Sequence, residues 1–183
     1  MLFNKLIQMK GEKLMYERFM KLIENNSEKI TKNLVRVIQE REEVRHYRDR
    51  DISKEVSFGL FLLTQFPSIS SALRITWEMN SSDTLFAYYS ELGAKRYSEG
   101  IPLEEAIMLI MLIKRQVLYT IKDESEVFIG LTLNQLMEIN FYVNLFFDQI
   151  IHSMVIGYQN EPRKIYEKPG GKTNVVKNFK IKK

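Results

Sequence analysis

Apolar residues recur at intervals of three and four along most of the chain, as in amphipathic helices that bury one face. Short groups of Asn, Ser, Asp, Gly and Pro interrupt this pattern and mark the predicted helix ends. The pattern predicts helices over residues 13–25, 28–48, 53–66, 68–79, 84–99, 102–122 and 133–158. No convincing strand and no internal repeat is present, so we expect an all-α bundle of six or seven helices.

Several of these helix ends rest on particular residues. Gly11 is expected to break the chain, and the triplet Asn25-Asn26-Ser27 is expected to end one helix and cap the next. Pro67 disfavours helical geometry at the residue before it and is expected to end the third helix. Residues 123–130 are expected to form a loop or a frayed helix end, and Thr132 is expected to cap the last helix.

The segment from residue 88 to residue 122 organises the fold. Gly100 falls where the C-terminus of a helix favours a left-handed residue, and Pro102 follows where the first turn of a new helix tolerates a missing N–H. Every residue from 106 to 113 is apolar. We therefore expect almost no solvent-facing side there, in a helix that is central or forms a subunit interface.

A family resemblance rests on the same segment. Glu91-Leu92-Gly93, Arg96 and the run EGIPLEE over residues 99–105, followed by the apolar helix, resemble the N-terminal sensor domain of RsbR-type stressosome proteins. The resemblance covers about residues 12–160. It implies a globin-like, all-helical, dimeric domain without haem that takes part in bacterial stress signalling. The matching positions look structural rather than catalytic.

Composition limits the compartment and the chemistry. The chain has 183 residues and no cysteine, which excludes a disulfide scaffold, thiol catalysis and Cys-based metal sites. Its start lacks the pattern of a signal peptide, and its longest strictly apolar run is shorter than the about 20 residues of a membrane span. We therefore expect a cytoplasmic protein with no membrane partner.

Positive charge is concentrated at the end of the chain. Residues 163–183 hold eight Lys or Arg against one Glu, and the net charge of the whole chain is +4, so the rest carries −3. Nucleic-acid binding by the folded body is therefore not expected. Residues 1–160 are expected to form the helical domain and 161–183 a basic, flexible tail. Association with nucleic acid through this tail stays an alternative.

No enzyme motif is present. Glu104 and Glu105 are adjacent, so on a helix they point about 100° apart and cannot work as a paired acid and base. Asp148 and His152, four residues apart, could supply half of a metal site or form an ordinary ion pair. A haem would need a histidine in an apolar cleft, which His152 fits better than His46. We predict no catalytic residue, metal or cofactor, with a haem-binding sensor as an alternative.

Aromatic residues supply the candidate ligand site. Small-ligand pockets are usually lined by aromatic rings with one or two polar groups. Such residues lie on the helix over 84–99 and on the short helix before it. The candidates are Trp77, Tyr88, Tyr89, Arg96 and Tyr97. The alternative is that these rings pack with their polar atoms satisfied.

Together these features predict a non-enzymatic sensor or interaction domain of bacterial signalling. It would be a homodimer whose interface includes the helix over 102–122 or the last helix. A small-molecule ligand or a signalling protein would shift helix packing, and the last helix would pass this shift toward residue 160.

Overall fold

The computed structural model describes residues 2–73 and 84–166, with side chains over 14–65, 84–124 and 126–162. Five α-helices follow one another: α1 Leu2–Gln39, α2 Ser53–Leu73, α3 Thr84–Ser98, α4 Leu103–Asp123 and α5 Leu133–Tyr166. A 3₁₀ helix, Glu42–Tyr47, precedes α2, and another, Ser125–Phe128, precedes α5. The described residues contain no strand, so the prediction of an all-α bundle is confirmed.

The first helix is unbroken, and the breaks predicted at Gly11 and at residues 25–27 are wrong. Asn26 Nδ2 donates to the carbonyl of Leu22 at 3.0 Å, and Ser27 Oγ donates to the carbonyl of Glu24 at 3.0 Å. These side chains therefore bond to the preceding turn instead of capping a new helix. The buried stripe of α1 continues on both sides of them, and this packing outweighs their weak helix propensity.

The helix predicted over 28–48 ends early, at Gln39. The chain then turns through the first 3₁₀ helix, where Val44 has non-helical angles of φ −137° and ψ 31°. In this turn Val44 and Tyr47 lie in the core, while Glu43 and Arg45 beside them are exposed.

Two helices run past their predicted ends. Pro67 lies inside α2 and Pro162 inside α5, so the ends predicted at residues 66 and 158 are wrong. An interior proline costs about 3 kcal/mol because it removes one hydrogen bond and crowds the preceding turn. Both helices nevertheless continue past the proline, to Leu73 and to Tyr166.

The predicted boundary between α3 and α4 is confirmed. Gly100 has φ 70°, its N–H donates to the Tyr97 carbonyl at 3.0 Å, and the Ile101 N–H donates to the Arg96 carbonyl at 3.0 Å. This pair of bonds is the Schellman motif, which satisfies the last carbonyls of α3. Pro102 comes immediately before α4.

The predicted start of the last helix is also confirmed. The Gln135 N–H donates to Thr132 Oγ1 at 3.3 Å, and the Thr132 N–H donates to Gln135 Oε1 at 2.9 Å. These two bonds form a capping box. The expected loop over 123–130 contains the short second 3₁₀ helix and ends at Gly130, with φ 86°.

The fourth helix has a solvent-facing side, contrary to expectation. Leu109, Ile110 and Leu112 are buried, but Met111 is 50% exposed. The neighbours of α4, which are α1, α5, α3 and the first 3₁₀ helix, leave part of its surface uncovered, so Met111 lies outside the core.

Two glycines allow α3 and α5 to approach closely. A Cβ on Gly93 would overlap the carbonyl oxygen of Met154, and a Cβ on Gly157 would overlap the carbonyl oxygen of Ser90. The backbones of α3 and α5 therefore touch at this crossing. In the described part of the chain, no helix is both long enough and apolar enough to span a membrane.

Candidate functional site

Four of the five predicted ligand residues lie on α3, and Trp77 lies outside the described residues. Tyr89 and Arg96 are buried, because they are seven residues apart and share the inner face of the helix. Tyr88 and Tyr97 are half-buried. They are nine residues apart and therefore point to opposite sides of α3.

The inner face of α3 borders a small cavity. Tyr89 and Arg96 line it together with Tyr47 from the first 3₁₀ helix, Glu55 from α2 and Met154 from α5. The remaining lining is apolar and comes mostly from α4. Its volume is about 20 Å³, which is enough for one water molecule. In this conformation the cavity admits no larger ligand.

Arg96 is the buried centre of an ion network whose other members are partly exposed. Its side chain is only 2% exposed, its Nη1 donates to Glu99 Oε2 at 2.7 Å, and its Nη2 donates to Glu55 Oε2. Arg50 Nη1 also donates to Glu99 Oε2, at 2.8 Å, so two guanidinium groups bind the same carboxylate. Burial alone would lower the pKa of Arg96, but Tyr47 and the two carboxylates raise it overall. Arg96 is therefore a fixed positive charge that joins α2 to α3.

Tyr47, from the first 3₁₀ helix, packs against the Arg96 guanidinium. The guanidinium of Arg96 lies 5.3 Å from the centroid of its ring, within cation–π distance. The Tyr47 hydroxyl is buried and has no hydrogen-bond partner among the described residues. Burial raises the pKa of Tyr47 to about 12, so the phenol stays protonated at neutral pH.

The two half-buried tyrosines, Tyr88 and Tyr97, pack in two separate places. The Tyr88 ring lies 4.6 Å from the Phe58 ring and 5.0 Å from the Tyr89 ring, in an aromatic cluster that reaches the surface at α2. The Tyr97 ring packs edge-on against Tyr158 at 5.3 Å on the other side of α3. The predicted residues therefore do not line one pocket: Tyr89 and Arg96 meet at the cavity, while Tyr88 and Tyr97 lie apart from it.

A second polar contact was missed by the sequence reasoning. Glu105 is buried, its Oε1 lies 2.7 Å from His46 Nδ1, and its Oε2 accepts the His46 N–H at 3.1 Å. This contact ties the first 3₁₀ helix to the first turn of α4. The only signal in the sequence is the position of Glu105 directly before the apolar run, since its partner lies 59 residues away.

The weaker metal and haem candidates find no support in the geometry. Asp148 lies 3.8 Å from Lys114 Nζ, and no group of three or more metal-binding side chains occurs among the described residues. His152 is exposed on α5 and does not lie in an apolar cleft, as an axial haem ligand would. The cavity is far too small for a haem.

Comparison of the chain with models of protein families, with characterised proteins and with solved structures found no match. The resemblance to the stressosome sensor domain, and the globin-like arrangement that it implies, therefore stay predictions.

Proposed function

We propose that the chain is a non-enzymatic sensor or interaction domain of bacterial signalling, acting in the cytoplasm as a homodimer. A small molecule or a signalling protein would change the packing around Arg96, and α5 would carry that change to its C-terminal end. The resemblance to the stressosome sensor domain supports a role in stress signalling.

The observation that carries this proposal is that α5 contacts the surroundings of Arg96 and then continues beyond its crossing with α3. Met154 lines the cavity beside Arg96, Gly157 lies against the backbone of α3, and Tyr158 Oη donates to the Ile101 carbonyl at 2.9 Å. Gly157 is the last buried residue among the described side chains of α5, and the helix continues to Tyr166. These nine residues extend about 13 Å beyond the crossing with α3.

The contacts around Arg96 link α3 to α2 and to the first 3₁₀ helix. Arg96 binds Glu55 of α2 and packs against Tyr47 of the first 3₁₀ helix, so a partner that draws away either element weakens the network. Because α3 and α5 touch through backbone atoms, a movement of α3 displaces α5 as well. Signal transmission in this proposal is a shift between two packings of α3 on α5.

We propose two binding modes for the signal. The aromatic cluster of Phe58, Phe61 and Tyr88 offers a partly exposed apolar surface at α2 and α3. A ligand in the interior would have to enlarge the cavity, since its present volume of about 20 Å³ holds only a water molecule.

Hydrogen exchange measured by mass spectrometry tests the coupling. Glu55→Gln removes one of the two carboxylates from Arg96, and Glu28→Gln, on an exposed i, i+4 pair with Lys32, is the matched control. We expect Glu55→Gln to speed exchange over residues 150–162 by about tenfold, equivalent to 1.4 kcal/mol of local stability, with little change over residues 30–38.

The control variant should leave both regions unchanged. If exchange rises only in α2 and α3, or rises equally throughout the chain, then α5 is not specifically coupled to Arg96 and the proposal fails.

A further inference from the structure

The turn before α5 and the first half of that helix expose a row of large apolar side chains. Ile129 is 73% exposed, Leu133 72%, Met137 62% and Phe141 60%, and Leu136 lies beside them. We call these five residues the α5 apolar stripe. On the opposite side of the helix, the rings of Tyr16 and Tyr142 pack at 4.8 Å, and Arg18 Nη1 donates to the Ile129 carbonyl at 3.0 Å. The stripe is therefore held on a fixed scaffold.

The stripe is a large apolar patch whose own side chains carry no charge. A large apolar side chain has on the order of 150–200 Å² when fully exposed, and the stripe's exposed fractions of 39–73% add up to about three such side chains, so it presents on the order of 500 Å². That area lies toward the upper end of the roughly 300–600 Å² of the largest apolar patch on a typical monomer. Between residues 129 and 147 the only charged residue is Glu138, which is half-buried. Exposed Asn134 and Asn140 form a polar, uncharged border. An uncharged apolar centre with a polar rim is the composition of a protein interface.

The shape of the stripe indicates what covers it. Leu133, Met137 and Phe141 are spaced four residues apart and form one ridge along α5. Helices that interlock such ridges cross at about −50° and separate within a few turns. The stripe matches such a short contact, because it ends after a few turns: the next exposed residues along α5 are Asp148 and His152, which are polar.

We propose that a second copy of this chain covers the α5 apolar stripe, with the two α5 helices crossing near Met137. An uncharged ridge is complementary to its own image, which a two-fold symmetric contact requires. With its polar border the stripe also approaches the ~800 Å² that each partner gives to a standard interface. This inference rests on the proposed function, since it assigns the contact surface of the homodimer.

The exposed side of α4 is the other place where a second copy could dock. Met111 and Tyr119 are half-exposed there, but Arg115 and Lys122 are exposed between and beside them. Two-fold docking on this side would bring like charges together, which disfavours the contact. In the α5 apolar stripe every side chain is uncharged, and the Arg18 guanidinium beside it is bonded to the Val127 and Ile129 carbonyls.

Sedimentation equilibrium of the full chain tests the assignment, with Met137→Glu as the variant. Met137 is mostly exposed, so the change should leave the fold of each copy intact, which far-ultraviolet circular dichroism checks. Because the two copies of residue 137 would meet at the crossing, we expect the dissociation constant of the dimer to rise about 100-fold or more. Met111→Glu is the matched control and should leave the dimer unchanged.

Three results would overturn the assignment. They are a wild-type chain that stays monomeric at high concentration, a Met137→Glu variant that dimerises as tightly as wild type, and a Met111→Glu variant that dissociates instead. None of these results affects the coupling of Arg96 to α5 within one chain, because the exchange experiment with Glu55→Gln measures that coupling separately.

Discussion

Replacing Gly93 by alanine is expected to be one of the most damaging single-methyl changes in the protein. The new Cβ would overlap the Met154 carbonyl oxygen and lie 2.9 Å from the backbone nitrogen of Tyr158. Both atoms belong to the backbone of α5, so no side chain can rotate to make room. The helices must separate, or the backbone must distort.

The magnitude follows from two opposing effects. Overpacking against a fixed neighbour typically costs 1–3 kcal/mol, occasionally more, and separating α3 from α5 also weakens the contacts along their length. Alanine returns about 1 kcal/mol through its better helix propensity. Because neither backbone atom can move aside, we expect a gross cost of about 3–4 kcal/mol, at or just above the upper end of that range. The net loss in the free energy of unfolding is then about 2–3 kcal/mol, or a fall of roughly 4–12 °C in melting temperature.

Urea denaturation at fixed protein concentration measures this loss. Gly100→Ala is the control, since Gly100 has φ 70° and nothing within 4 Å of a new Cβ. Gly100→Ala should lower the free energy of unfolding only by the roughly 1–2 kcal/mol that a non-glycine residue costs in the left-handed conformation. Gly157→Ala acts at the same crossing as Gly93→Ala, so the double variant should lose clearly less than the sum of the two. If Gly93→Ala were as stable as wild type or more stable, α3 and α5 could not be in backbone contact.

Three further predictions concern the network around Arg96. Tyr47→Phe removes a buried hydroxyl without a described partner and should raise the free energy of unfolding by about 1 kcal/mol, whereas a loss of that size would mean that the hydroxyl is bonded. Arg96→Met removes the buried cation that Glu55 and Glu99 share, but Arg50 and Lys95 still lie near these partly exposed carboxylates, so we expect a loss of about 1–3 kcal/mol. Urea denaturation that shows no loss would rule out a structural network. Burial opposes ionisation of Glu99, but the hydrogen bond and charge of Arg96 lower the pKa of Glu99 below 4.5 overall. The ionised Glu99 carboxylate therefore contributes its full stabilisation above the pKa of the unfolded state, and this stabilisation is lost as the pH falls through the lower pKa of the folded state. Below pH 4.5 the free energy of unfolding should therefore fall less for Glu99→Gln than for the wild type.

Helix ends set by local signals could be predicted from the sequence. Gly100 supplies the left-handed residue of the Schellman motif, and Thr132 with Gln135 supplies a capping box, so both ends depend on residues within a few positions of each other. The continuity of α1 could not be predicted in this way. Asn26 and Ser27 form caps in many sequences, but here the burial of the helix on either side decides their conformation.

The candidate site could be predicted only in part, because some of its residues are brought together by tertiary contacts and not by local sequence. Tyr89 and Arg96 share a helical face, so their meeting at the cavity follows from spacing alone. Tyr47 and Glu55 come from a charged stretch and from the start of another helix, and nothing near them in sequence indicates Arg96 as their partner. The turn of the chain after Gln39 brings Tyr47 to Arg96, and that turn depends on tertiary contacts such as His46 with Glu105.

The most direct test of signal transmission is the distance between the two α5 ends in the dimer. The chain has no cysteine, so a single Gln159→Cys substitution places one spin label on the exposed side of each α5. Double electron–electron resonance should give one defined distance between the labels, and adding Glu55→Gln should shift or broaden it. A defined distance that is identical with and without Glu55→Gln would contradict the claim that α5 carries changes at Arg96 to its end.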